Sequence, residues 1–163
     1  MRKLYSSFRR YLITGMCLAL FSFNSLAFGV DELTPTASDN PQQTEFKLKA
    51  KEVLKVMDQW ARSWARLEPR GYISSYSPDY VGKGFPSHFA WAASRQQRLQ
   101  NQKSIQLSLT NVSLRSTKQG IFTVTFTQNY KSDTYKDVTN KRLDFKLIDG
   151  QWYIVAEKTL AKK

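Results

Sequence analysis

Residues 46–69, FKLKAKEVLKVMDQWARSWARLEP, decide the fold class, because their apolar positions keep one period from end to end. Phe46, Ala50, Val53, Met57, Trp60, Trp64 and Leu67 recur in alternating steps of four and three, which draws a single apolar stripe along a long helix. Lys47, Lys49, Lys51, Lys55 and Arg62 take the remaining faces. A strict heptad could also describe a coiled coil. About three heptads with two tryptophans at core positions suit a helix lying across a sheet better. Pro69 ends the helix, since proline pushes the residue before it, Glu68, out of helical geometry.

Downstream, Pro69 fits the first turn of a second, short helix, PRGYISSYS (69–77), with Tyr72, Ile73 and Tyr76 facing one way. SPDYVGKGFPS (77–87) reads as a loop, and Ser87 is placed to cap a third helix that begins HFAWAASRQQR (88–98). After Lys103 the period drops to two. Ile105, Leu107 and Leu109 share a strand face, and a slip near Asn111, the mark of a bulge, brings in Val112 and Leu114. Gln119-Gly120 is a turn. Phe122, Val124, Phe126, Gln128 and Tyr130 then line one face of a long strand, with Thr123, Thr125 and Thr127 on the other. Leu143, Phe145 and Leu147 belong to a third strand. Asp149-Gly150 signals a hairpin into a last strand carrying Trp152, Ile154 and Ala156 on one face. Helices first and an antiparallel meander after them predict an α+β domain, its helices packed on one face of a curved sheet.

Upstream, residues 1–27 read as a signal peptide. Arg2, Lys3, Arg9 and Arg10 precede an apolar run from Tyr11 to about Phe23, and Ser25-Leu26-Ala27 offers a cut after Ala27. The run is short for a bilayer span, so no transmembrane segment is expected after cleavage, and the location expected is the periplasm or the exterior. Cleavage removes the only cysteine, Cys17, and with it any disulfide, thiolate nucleophile or cysteine metal ligand. Residues 28–44, FGVDELTPTASDNPQQT, are polar, proline-interrupted and aperiodic, and read as a flexible tether. The remaining segment, 45–163, is long enough for one core and too short for two. The chain has 25 Lys and Arg against 13 Asp and Glu, a net charge of +12; the signal holds four of the basic residues and no acidic one, which leaves +8. That balance favours anionic surfaces such as envelope polymers. No nucleic-acid-binding motif accompanies it, and nucleic acid is disfavoured as a partner.

VMDQWARSWARLEPRGYISSYSPDY (56–80), WAASRQQRL (91–99), VTFTQNYKSD (124–133) and KRLDFKLIDGQWYIVAE (141–157) together resemble the nuclear transport factor 2-like superfamily. More narrowly, the chain resembles the C-terminal accessory domain of periplasmic L,D-transpeptidase-like and L,D-carboxypeptidase-like cell-wall proteins. The likeness runs from Val53 to Glu157, and Trp60 with Trp64, the Tyr76–Tyr80 turn, and Trp91 with Arg95 and Arg98 are its most specific pieces. It implies a cone: three helices closing over a bent sheet, with a pocket at the open end. The superfamily includes isomerases and dehydratases, and also pocketed domains without chemistry. The transpeptidase's Cys/His motif is absent.

Trp91, Arg95 and Arg98 stack on one helix face, with Phe89, Ala92 and Leu99 expected to pack the core about a third of a turn away. An arginine over an aromatic ring, its forked donors free, suits a carboxylate or sugar acid. Gln128 and Tyr130 end an otherwise apolar strand face where a cone would open, so these five residues form the candidate ligand-binding set. The competing reading pairs Arg95 or Arg98 with Glu157 or Asp79 and lets the aromatics fill the cone. Acid–base candidates are Asp79, in a turn where it would bond nearby amides, His88, at a helix start that disfavours its protonation, and the Tyr130 hydroxyl. Asp144 points away from Leu143 and Phe145, and alternation leaves open which sheet face is the cone interior. No His with Asp or Glu spacing supplies a metal site, and no cofactor is expected.

The function expected is that of an exported, non-catalytic accessory domain. It would recognise a cell-wall (peptidoglycan) fragment, an anionic glycan or an envelope partner protein through an aromatic and arginine-lined cone. The alternatives are a small cone-pocket isomerase, dehydratase or hydrolase, and a structural role in which the sheet face forms a homodimer.

Overall fold

A computed structural model describes residues 33–117 and 119–161. The expected signal, 1–27, lies outside the described residues. Three helices precede four strands: α1 (Pro41–Ala65), α2 (Pro69–Ser74), α3 (His88–Gln100), then β1 (Ile105–Ser116), β2 (Phe122–Ser132), β3 (Lys136–Ile148) and β4 (Gln151–Thr159). The strands form one antiparallel meander in chain order, and the helices cover one of its faces. This is the expected α+β cone. Among the described residues no helix is long and apolar enough to cross a membrane.

The α1 stripe is the spine of the core. Ala50, Val53, Met57 and Trp60 are fully buried, and Phe46, Trp64 and Leu67 pack partly buried around them. Leu67 closes the helix in the left-handed region at φ 59°, while Glu68 N–H returns to the Ser63 carbonyl at 2.8 Å. That closing geometry satisfies carbonyls the helix would leave open, and it turns the chain into α2.

Upstream, α1 begins earlier than periodicity suggests. Asn40 caps it by accepting from Gln43 N–H, and the Gln43 side chain accepts from Asn40 N–H in return. Lys47 then ties Asp39 to the helix at 2.8 Å, and Leu33 packs against the core. Residues 41–44, expected as the end of a flexible tether, are therefore helical. The reason is local: a polar capping box and Pro41 at the first turn build helix without any apolar stripe to announce it.

In the sheet, Asn111 adopts φ 52° and the β1–β2 register shifts between Thr110 and Ser113, which is the bulge expected there. Asp149 (φ 49°) and Gly150 (φ 80°) make the two-residue turn between β3 and β4. A second register shift, at Asp144/Phe145, was not foreseen. It leaves Trp152 and Ile154 on the inner face but sets Glu157, not Ala156, opposite the buried Leu143. The expected inner position of Ala156 is thereby overturned: it stands opposite Asp144.

The face bearing Phe122, Val124, Phe126, Gln128 and Tyr130 is the cone interior, since these residues pack toward the helices. Asp144 is on the opposite face with Thr123 and Arg142, both hydrogen-bonded to it. Near the β3–β4 turn, Phe122 lies between Phe46 at 5.6 Å and Trp152 at 5.2 Å, and Trp152 Nε1–H donates to Glu52 at 2.9 Å.

Candidate functional site

After α2 the backbone runs beside β4. Ser77 N–H donates to the Ile154 carbonyl at 3.0 Å, and Ile154 N–H to the Ser75 carbonyl at 2.8 Å. This pins Tyr76 beside the cone wall, and the β4 bulge brings Glu157 to meet it. The Tyr76 hydroxyl donates to Glu157 Oε2 at 2.8 Å. Its oxygen accepts from Trp60 Nε1–H at 3.0 Å, and with its own hydrogen committed to Glu157 it also accepts the Tyr72 hydroxyl at 3.1 Å. Lys141, opposite Phe126 on β3, closes the network with an ion pair to Glu157 and stands 5.9 Å from the Trp64 ring.

Burial pushes the Tyr72 and Tyr76 hydroxyls well above their ordinary value, and the nearby Glu157 charge adds to the effect. Tyr80 is pushed up to about 12 by the same two causes. Burial works to raise the Glu157 carboxyl as well. The Lys141 charge, hydrogen bonds from Lys141 and Tyr76, and the Arg95 charge outweigh it and hold Glu157 below the ordinary 4.5. So this network joins a fixed carboxylate, a partnered ammonium and neutral hydroxyls.

Trp91 is buried to 1% exposure in the centre of this wall, its ring 4.6 Å from Tyr76 and 4.9 Å from Tyr80. Phe89, expected to pack the core, is instead 82% exposed. The helix is rotated so that Trp91 meets α2 and the 77–87 loop, and Gly82 lies so close that a Cβ there would be 2.2 Å from Trp91 Cδ1. Helical spacing groups residues by face but does not say which face turns inward. Ala92 and Leu99 do pack inward.

Arg98 is exposed to solvent. Arg95 is half-buried and lies 5.9 Å from the Phe85 ring; its buried Nε has no hydrogen-bond partner, and it forms neither of the expected pairs with Glu157 or Asp79. Gln128 is 4% exposed with its Oε1 likewise unpartnered. Tyr130 is half-buried, 5.4 Å from Trp64 and 6.2 Å from Tyr135. Asp79 is exposed in the loop, where its backbone N–H reaches Ser77 Oγ at 3.3 Å. His88 Nδ1 is 2.8 Å from the Tyr80 carbonyl, so that nitrogen carries a hydrogen and donates. Among the described residues no three His, Cys, Asp or Glu side chains converge to hold a metal ion.

Sequence reasoning did not foresee the Tyr76–Glu157–Lys141 network. The hairpin turn fixes the β3–β4 register only as far as the bulge, and an unbroken register would have put Glu157 on the outer face.

The family described as the Cds6 C-terminal NTF2-like domain matches residues 52–158. Among solved structures, the fold is similar to Bdellovibrio bacteriovorus Bd1075, with TM-score 0.63 and 14% identity over 77% of this chain and 44% of that one. It is also similar to the helical cell shape determining protein Pgp2 from Campylobacter jejuni, with TM-score 0.59 and 15% identity over 69% of this chain and 41% of that one. An NTF2-like protein of unknown function from Pseudomonas putida KT2440 matches with TM-score 0.58 and 13% identity over 70% of this chain and 88% of that one. The chain thus spans less than half the length of the first two. None of the curated proteins matches it.

Proposed function

The chain belongs to the Cds6 C-terminal NTF2-like domain family, and on that premise we propose that it is an exported, non-catalytic domain whose cone recognises a carboxylate-bearing cell-wall fragment. The observation that carries this reading is Arg95. A half-buried guanidinium whose inward Nε has no partner is costly unless an anion completes it. Phe85 beneath it and Gln128 Oε1, a buried free acceptor, supply apolar and polar contacts of the kind a sugar–peptide ligand uses. The likeness to a cell-shape protein adds support for a wall-derived ligand.

The acid–base alternative has less to work with. Glu157 is held ionised by Lys141, and the cone tyrosines are shifted away from neutral pH. Asp79 is on the solvent side of its loop, and one His88 nitrogen is committed to a carbonyl. A general acid or base works best with a proton affinity near the operating pH.

Tryptophan fluorescence during titration with soluble peptidoglycan fragments tests the reading, with half-buried Trp64 as reporter. Saturable binding that weakens about tenfold or more in Arg95→Ala is expected, with Arg98→Ala within about twofold of wild type. A flat titration, or equal loss in both variants, removes Arg95 as the recognition residue.

A further inference from the structure

The face of the sheet turned away from the helices is a second, separate surface. Alternation and register place Arg115, Lys131, Lys136, Arg142, Lys146 and Lys158 on it, against one carboxylate, Asp144. Arg142 holds Asp144 with two hydrogen bonds of 2.8 and 3.0 Å, and Thr123 adds a third at 2.7 Å, so that acid is already neutralised. The other cations are exposed and have no acidic partner among the described residues.

We infer that this outer sheet face binds an extended, carboxylated polysaccharide. The cations do not converge on a point. Arg115 is opposite Thr123 at one end of β2, and Lys131 is eight residues along that strand, which at about 3.3 Å per residue separates them by about 26 Å. A small anion can touch only one of them, whereas a polymer can touch several at once and gain from each.

Hydrogen-bonding groups occupy the ground between the charges. Asn111, Thr127 and Asn140 form a cross-strand rung, with Asn111 Nδ2–H donating to Thr127 Oγ1 at 3.3 Å and Thr127 Oγ1–H to Asn140 Oδ1 at 2.9 Å. Thr125 and Asn129 are half-buried beside it. Sugar hydroxyls suit such a surface. A lipid surface would need apolar side chains to insert, and only Val138 and, just past β4, Leu160 are large, apolar and exposed here. Single-stranded nucleic acid would need aromatic platforms, and Tyr153 at one corner is the sole aromatic residue on the strands of this face. A second copy of the chain would bring like charges together.

The test uses polygalacturonate, a linear polysaccharide with a carboxylate on each sugar, and neutral dextran as control. Affinity electrophoresis of the purified protein is expected to show retardation by polygalacturonate and none by dextran. The triple variant Arg115→Ser, Lys131→Ser, Lys158→Ser should bind about tenfold or more weakly, and wild-type binding should vanish near about 1 M salt. Circular dichroism of the variant confirms its fold. The triple variant should keep the wild-type fluorescence titration with peptidoglycan fragments, so failure here and failure of the cone reading are told apart. The proposal is overturned if the triple variant binds unchanged. It is also overturned if phosphatidylglycerol vesicles or DNA bind more tightly through the same residues, or if sedimentation shows a dimer that the triple variant dissociates.

Discussion

The two ends of the cone are built from similar rings and carry different polar groups. Near the β3–β4 turn, Phe46, Phe122 and Trp152 pack ring on ring, with Phe145 and Ile154 fully buried beside them. Among the described residues, Trp152 donates a hydrogen bond to Glu52 at the margin. Farther along β4, Trp60, Tyr72 and Tyr76 are just as buried, but Trp60 and Tyr72 bond the Tyr76 hydroxyl, which donates to Glu157, and Lys141 and the Arg95 charge act on that carboxylate. An apolar end needs only volume. A polar end needs every donor matched, and there Arg95 and Gln128 retain unmatched atoms. Apolar packing is therefore concentrated at one end and unmatched polar atoms at the other.

Phe145→Ala gives the largest test of that contrast. It removes a fully buried ring from the apolar end and should cost about 3–5 kcal/mol in urea unfolding. Among molecules still folded, ligand binding should hold. Loss of binding at unchanged fold would mean that the ends are not separable.

Next in size is Lys141→Met, which leaves Glu157 without its counter-charge and should cost about 2–4 kcal/mol, while Lys141→Met with Glu157→Leu recovers much of that. The pair also sets a pH dependence. The Glu157 carboxyl is lowered in the folded state, so its contribution is present above the ordinary 4.5 and is lost as pH falls through the folded value. Urea titrations across that range should show the acid-side loss in wild type and a flatter profile in Glu157→Gln; equal profiles would remove Glu157 as the cause. On the alkaline side Tyr72 and Tyr76 are raised. Their contribution is intact below 10 and declines above it by roughly 1.4 kcal/mol per pH unit for each hydroxyl that stays protonated.

A smaller effect is expected at the wall between the ends. Gly82→Ala drives a methyl into Trp91 and should cost about 1–3 kcal/mol, because either the ring or the 77–87 loop must shift. Trp91 fluorescence should change with it. A silent substitution would show that the loop yields freely, which would make the wall a movable cover and not a fixed one.

Much of this architecture is legible in the chain itself. The α1 stripe, Pro69 at the start of α2, the Ser87 cap, the bulge near Asn111 and the Asp149-Gly150 turn are each set by residues within a few positions of one another. Local sterics and short-range hydrogen bonds act on such neighbours whatever the rest of the chain does. The start of α1 was missed because a capping box is polar and leaves no period to read.

Only the tertiary structure decided three further matters: which sheet face is the interior, which side of α3 turns inward, and where Glu157 points. Alternation names two faces of a strand and cannot rank them until helices pack on one. Trp91 and Phe89 compete for the same core, and Tyr72, Tyr76, Tyr80 and Gly82 settle it for Trp91. One extra residue in the β3–β4 ladder reverses the faces beyond it, turning Glu157 from a solvent position into the centre of the cone. The sequence by itself determined the elements, because their causes are local; burial and register, which are long-range, determined the site.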